Sequence, residues 1–212
     1  MTTTRKARLR TVAASATTAV AVGLLGLGTA PAAHADPLPT LCNPAVDHAT
    51  TEPLNLQVTP LVTDFLIYNV TAGTTGQHSD TLSRVSSVTT TVDNRTEITA
   101  GASALFAKVE VKIGFSVQKT TSSTTTQTVS DTWNLVSPGR YGLYRGTRVV
   151  TGQYVNRICA QTGPTTGIWV TTSSSPGTFT TYESPEIGSV GCAPAQPAGT
   201  VRRAAQLLIS SC

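Results

Sequence analysis

The distribution of apolar residues along the chain predicts an organisation built mainly from β-strands. An almost continuous apolar run of strand length occupies residues 61–70, and the glycines at 73 and 76 end it. Within residues 83–99, the even positions carry Val88, Thr90, Val92 and Ile98, while the odd positions from 87 to 97 are polar. A period of two is that of a strand with one wet and one buried face, so this stretch predicts a second, long strand.

The most regular alternation lies in residues 109–117. Apolar side chains occupy every odd position, and polar residues or glycine occupy every even one. This pattern predicts a strand with one continuous apolar face. The apolar residues are Val109, Val111, Ile113, Phe115 and Val117.

Shorter signals cover most of the remaining chain. A serine- and threonine-rich tract fills residues 120–132. The sequence Ser-Pro-Gly-Arg at 137–140 is typical of a turn, because proline presets φ and glycine tolerates the left-handed region. Residues 141–158 predict two strands broken near Gly146 or Gly152. The other predicted elements are a strand at 167–172, a loop at 173–199 and one short helix at 201–210.

These elements together predict an all-β fold, an elongated and twisted antiparallel sheet or sandwich with long amphipathic strands and one short C-terminal helix. Serine and threonine make up 49 of the 177 residues after residue 35, and threonine mixed with valine favours extended chain. A disordered glycosylated stalk is the alternative for the Ser/Thr tract. The predicted parts are a proline-rich lead-in at 36–60, a β domain at 61–172 and a loop-rich C-terminal segment at 173–212.

The first 35 residues have the pattern of a secretory signal peptide. Four cations and no acid lie within the first ten residues, and an uncharged run fills residues 12–30. The densest apolar part of that run is too short to span a bilayer as a helix, which needs about 20 residues. Ala33-His34-Ala35 supplies a small-x-small cleavage site, so we expect a secreted, extracellular protein that begins at Asp36. A retained membrane anchor is the alternative.

The net charge of the expected mature chain argues against a nucleic-acid partner. The whole chain has a formal charge of +4. Four of its fifteen Lys and Arg residues lie in the signal peptide, which leaves eleven against eleven Asp and Glu. A near-neutral protein lacks the excess of cations that binding to phosphates requires, so we expect no nucleic acid among its partners.

The four cysteines all follow the signal peptide, and an even number in an exported chain predicts two disulfides. Four cysteines allow three pairings. We favour Cys159 with Cys192 and Cys42 with Cys212, because the second bond would tie both ends of the chain to its body. No two cysteines have the close spacing of a zinc site, so structural bonds are favoured over metal ligation.

The residues needed for catalysis are scarce in this chain. It contains no GxSxG, HExxH or CxxC sequence. His48 follows Asp47 in the proline-rich lead-in, and His78 lies near Asp80 in a glycine-containing turn. Histidines in such loops are more often solvated than catalytic. We therefore expect a protein that is not an enzyme, with no catalytic residues, no cofactor and no metal ion.

Five features follow one another in the middle of the chain. They are a long alternating strand, a Gly/Ala-rich segment at 100–107, the amphipathic stretch at 109–117, the Ser/Thr tract and a Pro-Gly turn. In this order, the stretch from Val85 to Tyr154 resembles the pore-forming module of aerolysin-like toxins, the group that includes epsilon toxin and the mosquitocidal toxins. The resemblance is one of pattern, and it extends over no other part of the chain.

The resemblance implies an elongated, twisted sheet from which an amphipathic segment swings out, pairs between subunits and permeabilises a membrane. It implies membrane lipid or a cell-surface receptor as partner and a homo-oligomer on the membrane. A membrane-spanning strand needs about 9–11 residues, which the stretch 109–117 provides. The membrane-insertion candidates are Val109, Val111, Ile113, Phe115 and Val117, with Leu105 and Phe106 at the tip. The alternative function is that of a non-catalytic secreted binding or cell-surface structural β protein.

Overall fold

The computed structural model describes residues 40–73, 76–93, 101–120, 123–124, 130–210 and 212. Two long antiparallel strands dominate it, β2 (Ala49–Val70) and β7 (Gly139–Gln161). They pair from Ala49 opposite Ile158 to Val70 opposite Gly139, with irregularities near Leu54 and Val62. At about 3.3 Å per residue, each strand is about 70 Å long.

The other strands attach to this pair. The larger sheet has the order β1-β8-β7-β2-β4, with β9 and β10 also paired to β7 and β5 paired to β9. A separate two-stranded ladder joins β3 and β6. The all-β antiparallel prediction is therefore confirmed. The strands are β1 (Leu41–Cys42), β3 (Gly76–Thr81), β4 (Ser83–Arg84), β5 (Thr91–Val92), β6 (Ser130–Leu135), β8 (Gly167–Thr171), β9 (Gly177–Tyr182) and β10 (Glu186–Gly191).

The predicted C-terminal helix is present as α2 (Val201–Leu208). Thr200 begins it, with its side-chain oxygen accepting a hydrogen bond from the backbone N–H of Arg203 at 3.1 Å. This N-cap satisfies one of the donors that a first helical turn leaves open. The helix packs through Val201, Ala205 and the following Ile209 onto the sheet.

The prediction of a strand at 109–117 is wrong. This region belongs to helix α1 (Gly101–Ile113) and the coil after it. Gly114 ends the helix with φ 82°, and its N–H donates to the Glu110 carbonyl at 2.8 Å. Alanine, leucine and lysine upstream of 109 are compatible with helix, and packing against Phe179 and its neighbours selects it. Read from residue 102, the buried positions follow a helical period. They are Ala102, Leu105, Phe106, Val109 and the half-buried Ile113.

The prediction that residues 141–158 are broken into two strands near Gly146 or Gly152 is also wrong, because both glycines lie inside β7. At each of them, neighbouring groups approach the backbone closely. A Cβ at Gly146 would lie 2.6 Å from the Leu61 carbonyl oxygen and would also clash with Val201 of α2. At Gly152 it would lie 2.9 Å from the side chains of Leu56 and Phe179. Glycine here lets neighbouring groups pack directly on a continuous strand.

Three other segment assignments change. The lead-in at 36–60 is largely strand, since β2 begins at Ala49; residues 36–39 lie outside the described part. The long strand predicted at 83–99 is reduced to the two-residue strands β4 and β5, and positions 94–99 are not among the described residues. The loop predicted at 173–199 contains β9 and β10. The predicted strands at 61–70 and 167–172 are confirmed within β2 and β8.

The predicted disulfide pairing is wrong, although all four cysteines are bonded. Cys42 bonds Cys159, and Cys192 bonds Cys212. β8 lies between β1 and β7 in the sheet, and Cys42 opposes Gly167 while Cys159 opposes Trp169. The first bond therefore crosses over β8, where Gly167 leaves room for both sulfur atoms. The second ties the end of the chain to the strand β10 that α2 covers.

Matched substitutions at Val109 and Val111 separate the helix from the predicted strand. Val109 is fully buried, whereas Val111 is 85% exposed. We expect Val109→Ala to lower the free energy of unfolding by about 2 kcal/mol, from lost burial and the cavity left. Val111→Ala should change it by less than about 0.5 kcal/mol. Urea unfolding of both variants measures this difference in unfolding free energy. Equal losses in the two variants would support the strand and contradict the helix.

The two disulfides should stabilise the fold unequally, because they close loops of different length. Sequence separations of 117 and 20 residues correspond to about 5 and about 3 kcal/mol of chain entropy. We expect the Cys42→Ser/Cys159→Ser variant to unfold at lower denaturant than Cys192→Ser/Cys212→Ser. Peptide mapping of the parent protein checks the pairing itself, and a bond between Cys159 and Cys192 would contradict it.

Candidate functional site

The seven predicted membrane-insertion residues all lie in residues 101–119, called here the α1 segment. The structure does not place them on one face. Val111 points to solvent, whereas the tip candidates Leu105 and Phe106 are 1% exposed. Val109 and Val117 are buried, and Ile113 and Phe115 are half-buried. In this state, six of the seven candidates, all except Val111, belong to the protein core or pack against it.

An apolar cluster joins the α1 segment to the middle of the sheet. Phe106 and Phe179 of β9 meet edge to face, with ring centroids 6.0 Å apart and planes at 81°. Val150 and Tyr154 of β7 belong to the same cluster. Each buried aliphatic or aromatic side chain contributes about 1.5–3 kcal/mol relative to exposure, so this cluster is the main attachment of the segment.

Two lysines fasten α1 to the start of β2. Lys108 Nζ lies 2.6 Å from Glu52 Oε1 and also contacts the hydroxyl of Thr50. Lys112 Nζ donates to the Pro53 carbonyl oxygen at 2.9 Å. Pro53 has no backbone N–H and offers only its carbonyl oxygen for a hydrogen bond. The ammonium group of Lys112 satisfies that oxygen.

Glu110 holds the coil that follows α1. Its Oε2 lies 2.8 Å from Lys119 Nζ, and its Oε1 accepts a hydrogen bond from the Val117 N–H at 2.9 Å. The bond to Lys119 is the largest influence on Glu110 and lowers the pKa of its carboxyl group, with the Val117 N–H acting in the same direction. The ionised carboxylate therefore stabilises the turn between Gly114 and Lys119.

Arg148 of β7 anchors the segment from the sheet side. Its guanidinium carbon lies 3.7 Å from the centroid of the Phe115 ring. Its Nε and Nη2 donate to the two carboxylate oxygens of Glu183, at 2.6 and 2.8 Å. This bidentate pairing is the main cause of a raised pKa of Arg148. The cation is thus fixed in place beneath the aromatic ring.

Backbone bonds complete the attachment at the end of the segment. The Gln118 N–H donates to the Tyr182 carbonyl at 2.9 Å, and the Thr181 hydroxyl donates to the Gln118 carbonyl at 2.6 Å. These contacts join Gln118 to the end of β9. The α1 segment is therefore held by apolar contacts at its centre and by polar contacts along its length.

A second apolar surface lies at the far end of the β2–β7 pair, and sequence reasoning missed it. Leu41 opposes Ile168, and Ile158 opposes Val170, so these four side chains share one face of β1, β8 and β7. Leu41 is 75% exposed and Ile158 45%. We call these four residues the apolar patch. The signal was available in the sequence, as apolar residues two apart within β8.

The opposite face of these strands is covered by different chemistry. Cys42 and Cys159 form their disulfide there, and Trp169 lies on the same face as its partner Cys159. The Arg157 guanidinium carbon is 5.8 Å from the centroid of the Trp169 ring. Aromatic and charged groups therefore lie behind the apolar patch and not within it.

The two histidines that lie near an acid in the sequence belong to different parts of the structure. The Asp47 carboxylate accepts a hydrogen bond from the Asn43 N–H at 2.9 Å, which closes a turn, and the adjacent His48 is exposed. His78 lies in β3, opposite Trp133. Across the described residues, no group of three His, Cys, Asp or Glu side chains could hold a metal ion, and no helix is long and apolar enough to cross a membrane.

Comparisons with known proteins do not extend this description. No protein-family model, curated protein or solved structure matches the chain. The two structural features that bear on function are the attached α1 segment and the apolar patch.

The Glu110 contacts predict an acid-sensitive contribution to stability. The folded pKa of this carboxyl lies below its unfolded value, so its contribution is fully present above the unfolded pKa of about 4.5 and is lost as the pH falls through the lower folded pKa. We expect Glu110→Gln to lower the unfolding free energy at pH 7. The difference from the parent should shrink below about pH 5 in denaturant titrations. A difference that grows on acidification would contradict this assignment.

Proposed function

We propose that this chain is an exported, membrane-permeabilising β protein whose central segment, residues 82–129, leaves the sheet and inserts into lipid as a long hairpin. The segment lies between the two strands of the β3–β6 ladder, which ends with Thr81 opposite Ser130. Both ends of the segment therefore start from an existing antiparallel pair.

The register of that ladder is the observation that carries the proposal. Continued one residue for one, it sets Ile98 opposite Ile113, Ala100 opposite Val111 and Ala102 opposite Val109. Directly opposed residues lie on the same face of an antiparallel pair. A register different by one residue would set the apolar positions of one arm against the polar positions of the other. The ladder thus sets apolar residues of both arms on one face between 98 and 113, while Asn94 and Thr96 would oppose Val117 and Phe115.

Two apolar residues of the same face are already buried inside the existing ladder. Trp133 and Leu135 of β6 are buried, and they occupy odd positions like Val109 to Val117. Leu82, which follows β3 at an even position, packs with them. Successive residues of a strand alternate between faces, so this face would be apolar at residues 98–102 and 109–117 and again at Leu82, Trp133 and Leu135, with polar residues such as Lys119 and Asp131 between them.

The dimensions of the extended hairpin suit a bilayer. The continued register closes between Leu105 and Phe106, which then form its tip. Nine to eleven residues of each arm are enough to cross the hydrocarbon layer, and the stretch from Val109 to Val117 has that length. Pairing with hairpins of other copies in a ring would satisfy the backbone groups of both arms.

Insertion requires α1 to unwind and its attachments to break. The apolar cluster around Phe106, the Lys108–Glu52 pair and the Phe115–Arg148 contact all oppose release. The bridge between Thr89 and Ser123 is one residue out of step with the β3–β6 register, so it must also open. Burial of the apolar face in lipid and pairing between copies offset these losses.

The alternative function is a non-catalytic secreted binding or cell-surface structural role. The burial of Leu105, Phe106 and Val109 favours it, because a helix that completes the core also serves a protein that never leaves its folded state. The two functions differ in one respect. Only the first requires the α1 segment to become strand.

Val111→Lys tests the proposed function, because the side chain of Val111 is exposed in the folded state and would face lipid in the hairpin. We expect the variant to unfold like the parent. Its release of dye from loaded vesicles, and from susceptible cells, should fall at least about tenfold. A lysine near the bilayer midplane costs about 2–4 kcal/mol per subunit. Detergent-resistant oligomers on gels provide the second measurement.

Ser116→Lys is the matched control. Ser116 is also exposed, but in the extended hairpin it lies on the polar face. This variant should retain leakage and oligomer formation. Equal loss in both variants would show that the register is not the one proposed. Absence of leakage and oligomer from the parent protein across several lipid and cell types would favour the binding role.

A further inference from the structure

We propose that the apolar patch formed by Leu41, Ile158, Ile168 and Val170 is a membrane-contact surface that seats the sheet on a neutral bilayer. The inference rests on the proposed function for the direction of insertion. Its evidence is separate, because none of the four side chains belongs to the segment that inserts. A contiguous, solvent-exposed aliphatic face marks a contact surface for a partner of matching chemistry.

The residues around the apolar patch are suited to lipid and poorly suited to charged partners. No Asp, Glu, Lys or Arg occurs from Ile158 to Tyr182 or from Thr40 to Val46. All four side chains of the patch come from these two uncharged stretches. Moving this surface into the headgroup layer therefore buries no ion, and binding depends on apolar area.

Two other classes of partner fit less well. A glycan is usually bound on an aromatic side chain, and the nearest one, Trp169, faces the other side of the sheet beside Arg157. A stable contact between two copies buries about 800 Å² on each, which is more than four aliphatic side chains supply. A bilayer needs no shape complementarity, so a small flat surface can bind it.

The position of the apolar patch along the sheet agrees with the proposed direction of insertion. Arg84 of β4 opposes Asp64 of β2, which in turn opposes Arg145 of β7. Strand β4 runs antiparallel to β2, so the chain after Arg84 heads towards the beginning of β2. A first arm that continues in this direction runs towards Ala49 and therefore towards the patch.

The distances along the arm and the sheet also agree. From residue 84, about 11 residues or roughly 36 Å remain before the last ten residues of the arm, which would cross the hydrocarbon. From Arg145 to Ile158 are about 13 residues, or roughly 43 Å. The patch therefore lies about as far along the sheet as the point at which the arms would enter the hydrocarbon. The two distances differ by about two residues.

Binding and leakage must be measured separately to test this proposal. Co-sedimentation of the purified exported protein with phosphatidylcholine vesicles measures binding, and the Val111→Lys background removes the contribution of hairpin insertion. In that background we expect binding to persist and Ile168→Asp to weaken it at least about tenfold. Burying one such side chain changes a partition constant by about one to two decades. Ile158→Thr/Val170→Thr, which keeps β-branched side chains, should weaken it similarly without loss of fold.

Val136→Asp is the matched control, because Val136 is 72% exposed but lies in the turn at the opposite end of the β2–β7 pair. It should leave binding unchanged. Unaltered binding by the patch variants, or no binding by the Val111→Lys protein, would overturn the proposal. So would a lipid-free dimer, in sedimentation velocity, that Ile168→Asp dissociates, because the patch would then join two copies. Failure of the proposed function gives a different result, in which the parent binds through the patch but releases no dye.

Discussion

The pairing of β2 with β7 is the constraint on which the rest of the structure depends. A two-stranded ribbon of about 70 Å exposes both faces to water and is marginal by itself, so each part of it needs a cover. The β3–β6 ladder covers the end near Tyr141, α2 covers the part around Tyr144, and the α1 segment covers Val150 and Tyr154. The far end, with Leu41 and Ile168, keeps an apolar face exposed. The three buried clusters and this exposed patch all lie along the same long ladder.

The α1 segment satisfies two periodicities at once, and this duality links structure to the proposed function. Its residues bury a helical stripe through Phe106 and Val109 when the sheet is present, yet its second half alternates with the period of a strand. The helix prevails in the folded state because β7 and β9 offer an apolar surface of the right shape. In lipid that surface has no advantage, and a strand paired in register satisfies the backbone equally well. Under the proposed function, the environment of the segment decides which pattern is used.

The polar contacts of the α1 segment define how firmly it is held. Its ion pairs lie near the surface, where each is worth little in isolation, whereas Arg148 combines a bidentate carboxylate pair with an aromatic contact. The apolar cluster provides most of the attachment. A partner that replaces buried apolar contacts, as a bilayer does, therefore acts on the dominant interaction. Salt or mild acid acts only on the weaker ones.

The sequence by itself determined the all-β class, the C-terminal helix and the strands at 61–70 and 167–172, because composition and local periodicity specify them without distant contacts. It also identified four cysteines suited to disulfides. Only the tertiary structure decided that Val109 lies in a helix, that Gly146 and Gly152 lie inside one strand, and that Cys42 bonds Cys159. Each of these features depends on partners far away in the chain. Phe179 packs against helix α1, Val201 packs against Gly146, and β8 lies between the strands that carry the two cysteines. A local pattern of two to four residues holds no information about those partners, so packing made the choice.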